Sequence, residues 1–211
     1  MPIKTVIFDL DGTLIDSSKS ILAGFAGAFA AEGRQPVRPL TADVIGPPLK
    51  ATLAMLAGSD DPVLIERLAD QFKAHYDSEG YKKTTVFEGV PEMLATLHER
   101  GVPLHIATNK RLLPTQKILA HLGWIRFFGC VRALDAWSPA AAHKADMIGR
   151  QLGELNLTAT DTIYVGDRKE DADAAAANGM PFAFAAWGYG APPTDIEATP
   201  LQTPADLQYR V

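Results

Sequence analysis

Asp9 and Asp11 flank Leu10 directly after the apolar run Val6-Ile7-Phe8, and Gly12-Thr13 follow at once. An uninterrupted run of β-branched and aromatic residues reads as a buried strand. Side chains two positions apart on an extended chain point to the same side, and Gly12 lets the chain turn immediately. Two carboxylates at the mouth of one strand repel each other unless something neutralises them, and a divalent cation is the usual answer. Taken alone, the pattern also fits a strand followed by an acidic turn.

Further polar residues follow other strand-like runs. Pro103 to Ala107 leads into Thr108-Asn109-Lys110, and Thr162 to Val165 leads into Gly166-Asp167, with Asp171 four residues on. Lys144 opens a helical stretch after Ala140-Ala141-Ala142-His143. In open α/β sheets, ligands bind outside the carboxyl ends of the strands. Three strands thus bring Asp9 and Asp11, Thr108 and Asp167 to one edge, which Lys144 reaches from a helix N-terminus.

Such a set fits phosphoryl transfer. That reaction needs a positioned nucleophile, positive charge around the phosphoryl oxygens and a proton for the leaving alkoxide. Asp9, ionised at neutral pH, can attack phosphorus and split one hard step into two. Asp11 can serve as general acid to the leaving group and as general base to the attacking water. Thr108 offers a hydroxyl and, with Asn109, backbone N–H groups to the phosphoryl oxygens. Lys144 adds a point charge, a role for which Lys110 and Lys169 are the other candidates. Mg²⁺ suits hard oxygen ligands, with Asp9 and Asp167 as side-chain ligands. Asp171 reads as a residue behind the ligands or a partner for Lys144, and Asp173 as a solvated helix residue.

D-x-D-G-T over Asp9 to Thr13, a Thr closing the next strand at Thr108, Lys144, and G-D-x-x-x-D over Gly166, Asp167 and Asp171 occur in this order over nearly the whole chain. The set resembles the haloacid dehalogenase superfamily of phosphotransferases. More narrowly, Ile45-Gly46-Pro47-Pro48-Leu49, Gly166-Asp167-Arg168 and Trp187-Gly188-Tyr189-Gly190 look like its phosphoglycolate-phosphatase and 5′-nucleotidase-like branch. The resemblance implies a Rossmann-like α/β core with a mostly parallel sheet. It also implies a helical cap inserted after the first motif, an aspartyl-phosphate intermediate, and Mg²⁺ held additionally by the backbone carbonyl of Asp11. The chain departs from the family pattern at His143-Lys144-Ala145, where a Pro or small residue often stands beside the Lys.

The elements fit that organisation. Ile21, Leu22, Phe25 and Phe29 recur at helical spacing up to Gly33. A short helix is expected from Thr41 to Gly46, another from Leu49 to Ala57, and a third from Asp61-Pro62, an acidic cap with Pro at the first position. Residues 17–82 thus read as an all-helical insert, and residues 1–16 and 83–211 as the α/β core. Within the core the expected helices are Pro91 to Arg100, Leu112 to Leu122, Lys144 to Leu152 and Asp171 to Asn178, each followed by Gly or reaching one. Cys130 to Leu134 reads as a short strand and Phe182 to Ala185 as the last one, before a Pro- and Thr-rich tail with a short helix near Ala205.

The 211 residues accommodate one core with an insertion, and 47% hydrophobic with 21% charged residues is an ordinary soluble composition. A net charge of −5 gives no electrostatic case for nucleic acid. No apolar stretch approaches the ~20 residues of a membrane span, and Asp9 and Asp11 interrupt the first apolar run. A cytoplasmic monomer or homodimer acting on a small phosphorylated metabolite, phosphoglycolate-like or a nucleotide, is the expectation. Cys130, the single cysteine, reads as a buried inert thiol. His105 reads as structural and His143 as a loop residue behind the site. Trp124, Trp137 and Trp187 read as core or rim, and Arg168 as facing either the cap or solvent. Arg34, Arg38 and Lys50 in the insert are candidates to bind a second anionic group of the substrate.

Three rivals remain. A dehalogenase of the same superfamily has no need of Asp11. A phosphosugar mutase keeps the whole constellation, and only its product differs. A non-enzymatic, receiver-like module that accepts a phosphoryl group needs an Asp, a metal, a Thr and a Lys, but neither a general acid nor a large helical insert.

Overall fold

The computed structural model describes residues 2–211. A six-stranded sheet forms its centre, with strands β1 (Thr5–Phe8), β4 (Leu104–Thr108), β5 (Phe128–Ala133), β6 (Thr162–Gly166), β7 (Phe182–Ala185) and β8 (Thr199–Leu201) in the order β5-β4-β1-β6-β7-β8. Every pairing in it is parallel. Strand β1 is fully buried, with Phe8 aligned to Ile106 of β4 on one side and Val165 of β6 on the other. Burial on both faces explains why β1, β4 and β6 read as continuous apolar runs rather than alternating ones. Helices α4 (Val90–Glu99), α5 (Leu112–His121), α6 (Lys144–Glu154) and α7 (Lys169–Ala177) connect the strands. Two apolar clusters result, one built on Val6, Phe8, Leu94, Ile106 and Ile118, the other on Ile7, Met147, Ile148, Tyr164 and Phe184.

The chain leaves the core through β2 (Ile15–Asp16) and returns through β3 (Thr85–Val86), which pair antiparallel as a two-stranded ribbon. Between them lie α1 (Ser18–Ala31), α2 (Leu49–Ala57) and α3 (Pro62–Tyr76). Their inward faces make a third apolar cluster of Ile21, Phe25, Phe29, Leu53, Leu56, Leu68, Phe72 and Tyr76. Helix α3 starts as its sequence dictates: Asp61 accepts from the N–H of Val63 at 3.0 Å, and Pro62 takes the first position.

Several boundaries differ from expectation. The segment after Thr41 makes only a 3₁₀ turn, Ala42–Val44. Helix α6 runs through Gly153 to Glu154. Helix α7 begins at Lys169 rather than Asp171, because Asp171 is its third residue and folds back onto the N–H of Arg168. Strand β5 starts at Phe128. The tail carries the unexpected edge strand β8, followed by the 3₁₀ helix Pro204–Tyr209.

Candidate active site

Asp9, Thr108 and Asp167 stand at or just past the carboxyl ends of the three adjacent strands β1, β4 and β6. Chain direction diverges to either side of β1, so the loops open a crevice there. Asp9 continues the register of β1, its N–H donating to the carbonyl of Val165 at 2.9 Å. Buried Tyr164 donates to the carbonyl of Ala107 at 2.7 Å and fixes the tip of β4 just before Thr108. Thr108 is itself buried, and its hydroxyl oxygen accepts from the N–H of Lys110 at 3.2 Å.

Lys144 reaches this edge from the first position of α6. Its ammonium lies 2.5 Å from Asp171 Oδ1 and 3.2 Å from Asp9 Oδ1. His143 is the N-cap of that helix, its Nδ1 accepting from the N–H of Asp146 at 3.2 Å. It is a structural residue that aims Lys144 inward. The other oxygen of Asp171 accepts from the N–H groups of Asp167, at 3.1 Å, and Arg168, at 2.9 Å. Both oxygens of Asp171 are therefore engaged, and it holds Lys144 and the Asp167 loop in place.

The loop Trp187 to Gly190 packs on Asp167 from the other side. Tyr189 N–H donates to Asp167 Oδ2 at 2.8 Å, and Trp187 Nε1 donates to the carbonyl of Thr13 at 2.9 Å. A Cβ at Gly188 would collide with the Asp167 side chain and the carbonyl of Gly12, and one at Gly12, where φ is +86°, would collide with the Asp167 carboxylate. These two glycines are the condition for placing that carboxylate.

Asp11 occupies a different setting. Its carboxylate accepts from the hydroxyl of Ser17 and from Lys110, whose ammonium lies 3.1 and 3.2 Å from the two oxygens. Lys110 also bonds Tyr76 Oη of α3 at 2.8 Å. Ser17 and Tyr76 are site residues to which the sequence did not point, and Lys110, an alternative candidate for the role of Lys144, pairs instead with Asp11. The only available signal was the position of Lys110 two residues after Thr108. Asn109, expected to offer its backbone N–H to the phosphoryl group, uses its side-chain amide separately, donating to the carbonyl of Gly46 at 3.0 Å and tying core to insert. Arg168 faces the insert as well, donating to the carbonyl of Ala42 at 2.6 Å. Arg111 forks onto Asp77 at 2.8 and 2.5 Å.

The electrostatics explain what this edge lacks. Among the described residues, Asp9, Asp11, Asp167 and Asp171 face Lys144 and Lys110 as close cationic partners, with the Arg168 guanidinium more distant at 3.8 Å from Asp167. Burial pushes Asp9 up from 3.8 to about 7; Lys144 opposes the shift, while Asp171, Asp167 and Asp11 add to it. Burial and the neighbouring Asp171 likewise raise Asp167 to about 6. Burial works against the charge on Lys144, yet Asp171 and Asp9 outweigh it and hold the ammonium well above its ordinary pKa. Carboxylate oxygens of Asp9, Asp167 and Asp171 lie within 4.8 Å of one another, and buried Asp9 Oδ1 accepts no well-aligned hydrogen bond, its ion-pair partner Lys144 lying 3.2 Å away. An all-oxygen set with surplus negative charge and an open carboxylate oxygen fits a small divalent cation such as Mg²⁺. Asp9 presents the open oxygen; Asp167 already accepts from the Thr13 hydroxyl on Oδ1 at 3.2 Å and from the Tyr189 N–H on Oδ2 at 2.8 Å and would ligate through its remaining lone pairs, whereas Asp171 is tied to the Lys144 ammonium.

Over this edge lies a cleft of about 60 Å³ between core and insert. Asp9, Asp11, Thr108 and Lys110 line its floor, and residues of α1, α2, α3 and the 44–47 loop line its other wall. Arg34, Arg38 and Lys50 do not line it: all three are exposed on the outer side of the insert, and Lys50 pairs there with Glu66. Their expected role in anchoring a second anion is thus corrected. His105, Cys130 and Trp124 are buried and do not line the cleft, and Trp137, packed on the second core cluster, donates to Glu154. Among the described residues, no helix is long and apolar enough to cross a membrane.

A model of the haloacid dehalogenase-like hydrolase family matches residues 6–185. The tyrosine-protein kinase PtkA of Mycobacterium tuberculosis is 32% identical over 188 residues, which are 89% of this chain and 63% of PtkA. The chain thus spans less than two thirds of that relative. The phosphoglycolate phosphatase of Xanthomonas campestris is 32% identical over 188 residues, covering 88% of this chain and 84% of that protein. A haloacid dehalogenase-like hydrolase from Streptococcus pneumoniae superposes with a TM-score of 0.82 at 27% identity, over 98% of this chain and 97% of that one.

Proposed function

The chain belongs to the haloacid dehalogenase-like hydrolases, and from that membership and the geometry of the cleft we propose that it is a Mg²⁺-dependent phosphatase of small phosphate monoesters. The observation that carries the reading is the convergence of Asp9, Asp11, Thr108, Lys144 and Asp167 on one sheet edge beneath a closed-over cleft. Similarity to phosphoglycolate phosphatases supports the reaction class. Residues 1–16 and 83–211 form the catalytic core in this reading, and residues 17–82 the cap that excludes bulk water.

Each residue has a task. An Asp9 carboxylate oxygen attacks phosphorus, the bond to the leaving oxygen breaks, and that oxygen takes the proton from Asp11. A water then gives its proton to Asp11 and attacks the aspartyl phosphate, which releases inorganic phosphate and restores Asp9. Lys110 and Ser17 hold the Asp11 carboxyl in one orientation, so proton transfer needs no search. Lys144 and the Thr108 hydroxyl, with the backbone at Asn109, face the phosphoryl oxygens, and Asp171 keeps Lys144 in place. Asp9, Asp167 and the Asp11 carbonyl would hold Mg²⁺, which would supply positive charge to the phosphoryl group.

Asp11 separates this reading from a dehalogenase, and the cleft over the site separates it from a receiver-like module. The test is release of inorganic phosphate from a panel of phosphate esters, with Mg²⁺ and with excess chelator. Metal-dependent release that disappears in Asp9→Asn supports the proposal. Conversion of a sugar phosphate to its isomer without phosphate release would identify a mutase instead, and full activity in chelator would remove the metal.

A further inference from the structure

The wall of the cleft that faces Asp9 and Asp11 must meet whatever the phosphoryl group is attached to. That wall is Ile21, Phe25, Val44, Ile45, Leu49 and Phe72. Phe25, Phe72 and Tyr76 form a continuous aromatic bank, with ring centroids 5.0 and 5.2 Å apart. Polar groups on this side are few and already engaged. The Tyr76 hydroxyl bonds Lys110. Thr52 Oγ1 lies 3.4 Å from the carbonyl of Pro47, at the limit of a hydrogen bond.

The cleft also lacks a free cation. Lys110 is paired with Asp11 and Arg111 is forked onto Asp77. Arg168 lies outside the lining, its Nη2 donating to the carbonyl of Ala42 and its Nε facing Asp167 at 3.8 Å. The three basic residues of the insert that could have served an anion point to solvent. A carboxylate or second phosphate pressed against the aromatic bank would lose its hydration and gain no partner, a costly exchange. An aliphatic or aryl group would be transferred from water to an apolar surface, a favourable one.

We infer that the leaving group of the physiological substrate is small, uncharged and largely apolar, and that the Phe25-Phe72 wall selects it. The inference rests on the phosphatase reading. The volume of about 60 Å³ sets the scale, since a water needs roughly 10–15 Å³ by such a measure and the cleft therefore admits a short chain rather than a large headgroup. A small group also leaves room for the phosphoryl oxygens to reach Lys144 and Thr108. Anionic leaving groups are rejected here by the absence of a partner, a stronger form of discrimination than a missing methylene.

The experiment measures kcat/KM for n-propyl phosphate, phenyl phosphate, phosphoglycolate and ribose 5-phosphate with Mg²⁺. The uncharged esters should exceed phosphoglycolate by about 10- to 100-fold. A second arm uses Leu49→Lys. Leu49 lines the cleft but is only partly buried at the first position of α2, so the change places an ammonium at the wall without opening the core. It should raise the ratio of phosphoglycolate to propyl phosphate by about tenfold or more. Phosphoglycolate or ribose 5-phosphate as the best substrate of the unaltered protein overturns the inference while leaving the phosphatase reading intact. An unchanged ratio in Leu49→Lys also overturns it, since the wall would then not meet the leaving group. No phosphate release from any ester overturns the phosphatase reading and the inference with it.

Discussion

Replacing Lys144 by Met keeps the length of the side chain and removes its charge, so it isolates the electrostatic role of the one cation that binds both Asp9 and Asp171. The Lys144 side chain is 8% exposed, and its ammonium lies 2.5 Å from Asp171 and 3.2 Å from Asp9. Removing one partner of such a buried pair costs about 3–5 kcal/mol, because the carboxylates left behind have neither solvent nor a counter-charge. A protein of this size loses about 2–4 °C of Tm per kcal/mol, so Lys144→Met should melt roughly 6–20 °C lower in chelator. The loss should be larger at pH 8 than at pH 5, since protonation relieves the stranded carboxylates at the lower pH. Added Mg²⁺ should narrow the gap, because a cation that binds only the folded chain stabilises it. Turnover with Mg²⁺ should fall on the order of 10²–10³-fold, as when one preorganised donor to developing charge is deleted. Thermal unfolding at the two pH values and steady-state phosphate release measure these quantities. A variant that melts within about 2 °C of the parent at pH 8, well inside that expected shift, and that keeps its kcat would refute the placement of Lys144 at the centre of the carboxylate cluster.

Two further outcomes follow from the same geometry. Gly188→Ala forces a Cβ against the Asp167 side chain and displaces the Tyr189 N–H that orients it; the Mg²⁺ concentration for half-maximal activity should rise about 10- to 100-fold, and an unchanged metal titration would show that the loop does not hold Asp167. In chelator, Asp9 at about 7 and Asp167 at about 6 bind protons more tightly folded than unfolded, so their contribution is present below the unfolded pKa of 3.8 and is lost as pH rises through 6 to 7. Urea midpoints in chelator should therefore fall as pH rises from about 4 to about 7 and level off above that, with Mg²⁺ reversing the fall, and a flat or rising profile between about pH 4 and 7 would contradict the assignment.

The sequence made the catalytic edge legible because each of its groups follows an apolar run that could only be a buried parallel strand. Asp9, Thr108 and Asp167 were readable from strand ends, and Lys144 from its place at the opening of a helix. Asp171 was readable as a neighbour of Lys144, although its fold-back onto the N–H of Arg168, which starts α7 two residues early, was not. Short elements carry too little pattern to be found. Strands β2 and β3 have two residues each, and β8 is an edge strand containing Pro200, which sheets admit only at such positions. Lys110 was legible only as an alternative to Lys144; its pairing was not, because it depends on Asp11 and Tyr76, which lie 99 and 34 residues away in sequence. The insert misled in the opposite direction. Arg34, Arg38 and Lys50 drew attention by their charge but project to solvent, where long basic side chains ordinarily lie. Phe25 looked like plain helical core, and it is, yet its ring and that of Phe72 form the wall of the cleft.

Covalent phosphorylation of Asp9 is the central claim, and trapping it is the most direct measurement. The protein is mixed with Mg²⁺ and its best ester, quenched in acid during turnover, digested and weighed by mass spectrometry. The expected result is one phosphoryl group on the peptide that contains Asp9, labile to hydroxylamine as an acyl phosphate is, and no such adduct in an inactive Asp9→Asn protein. A phosphoryl group on a different residue, or an Asp9→Asn variant that still releases phosphate at the parental rate, would contradict the mechanism outright.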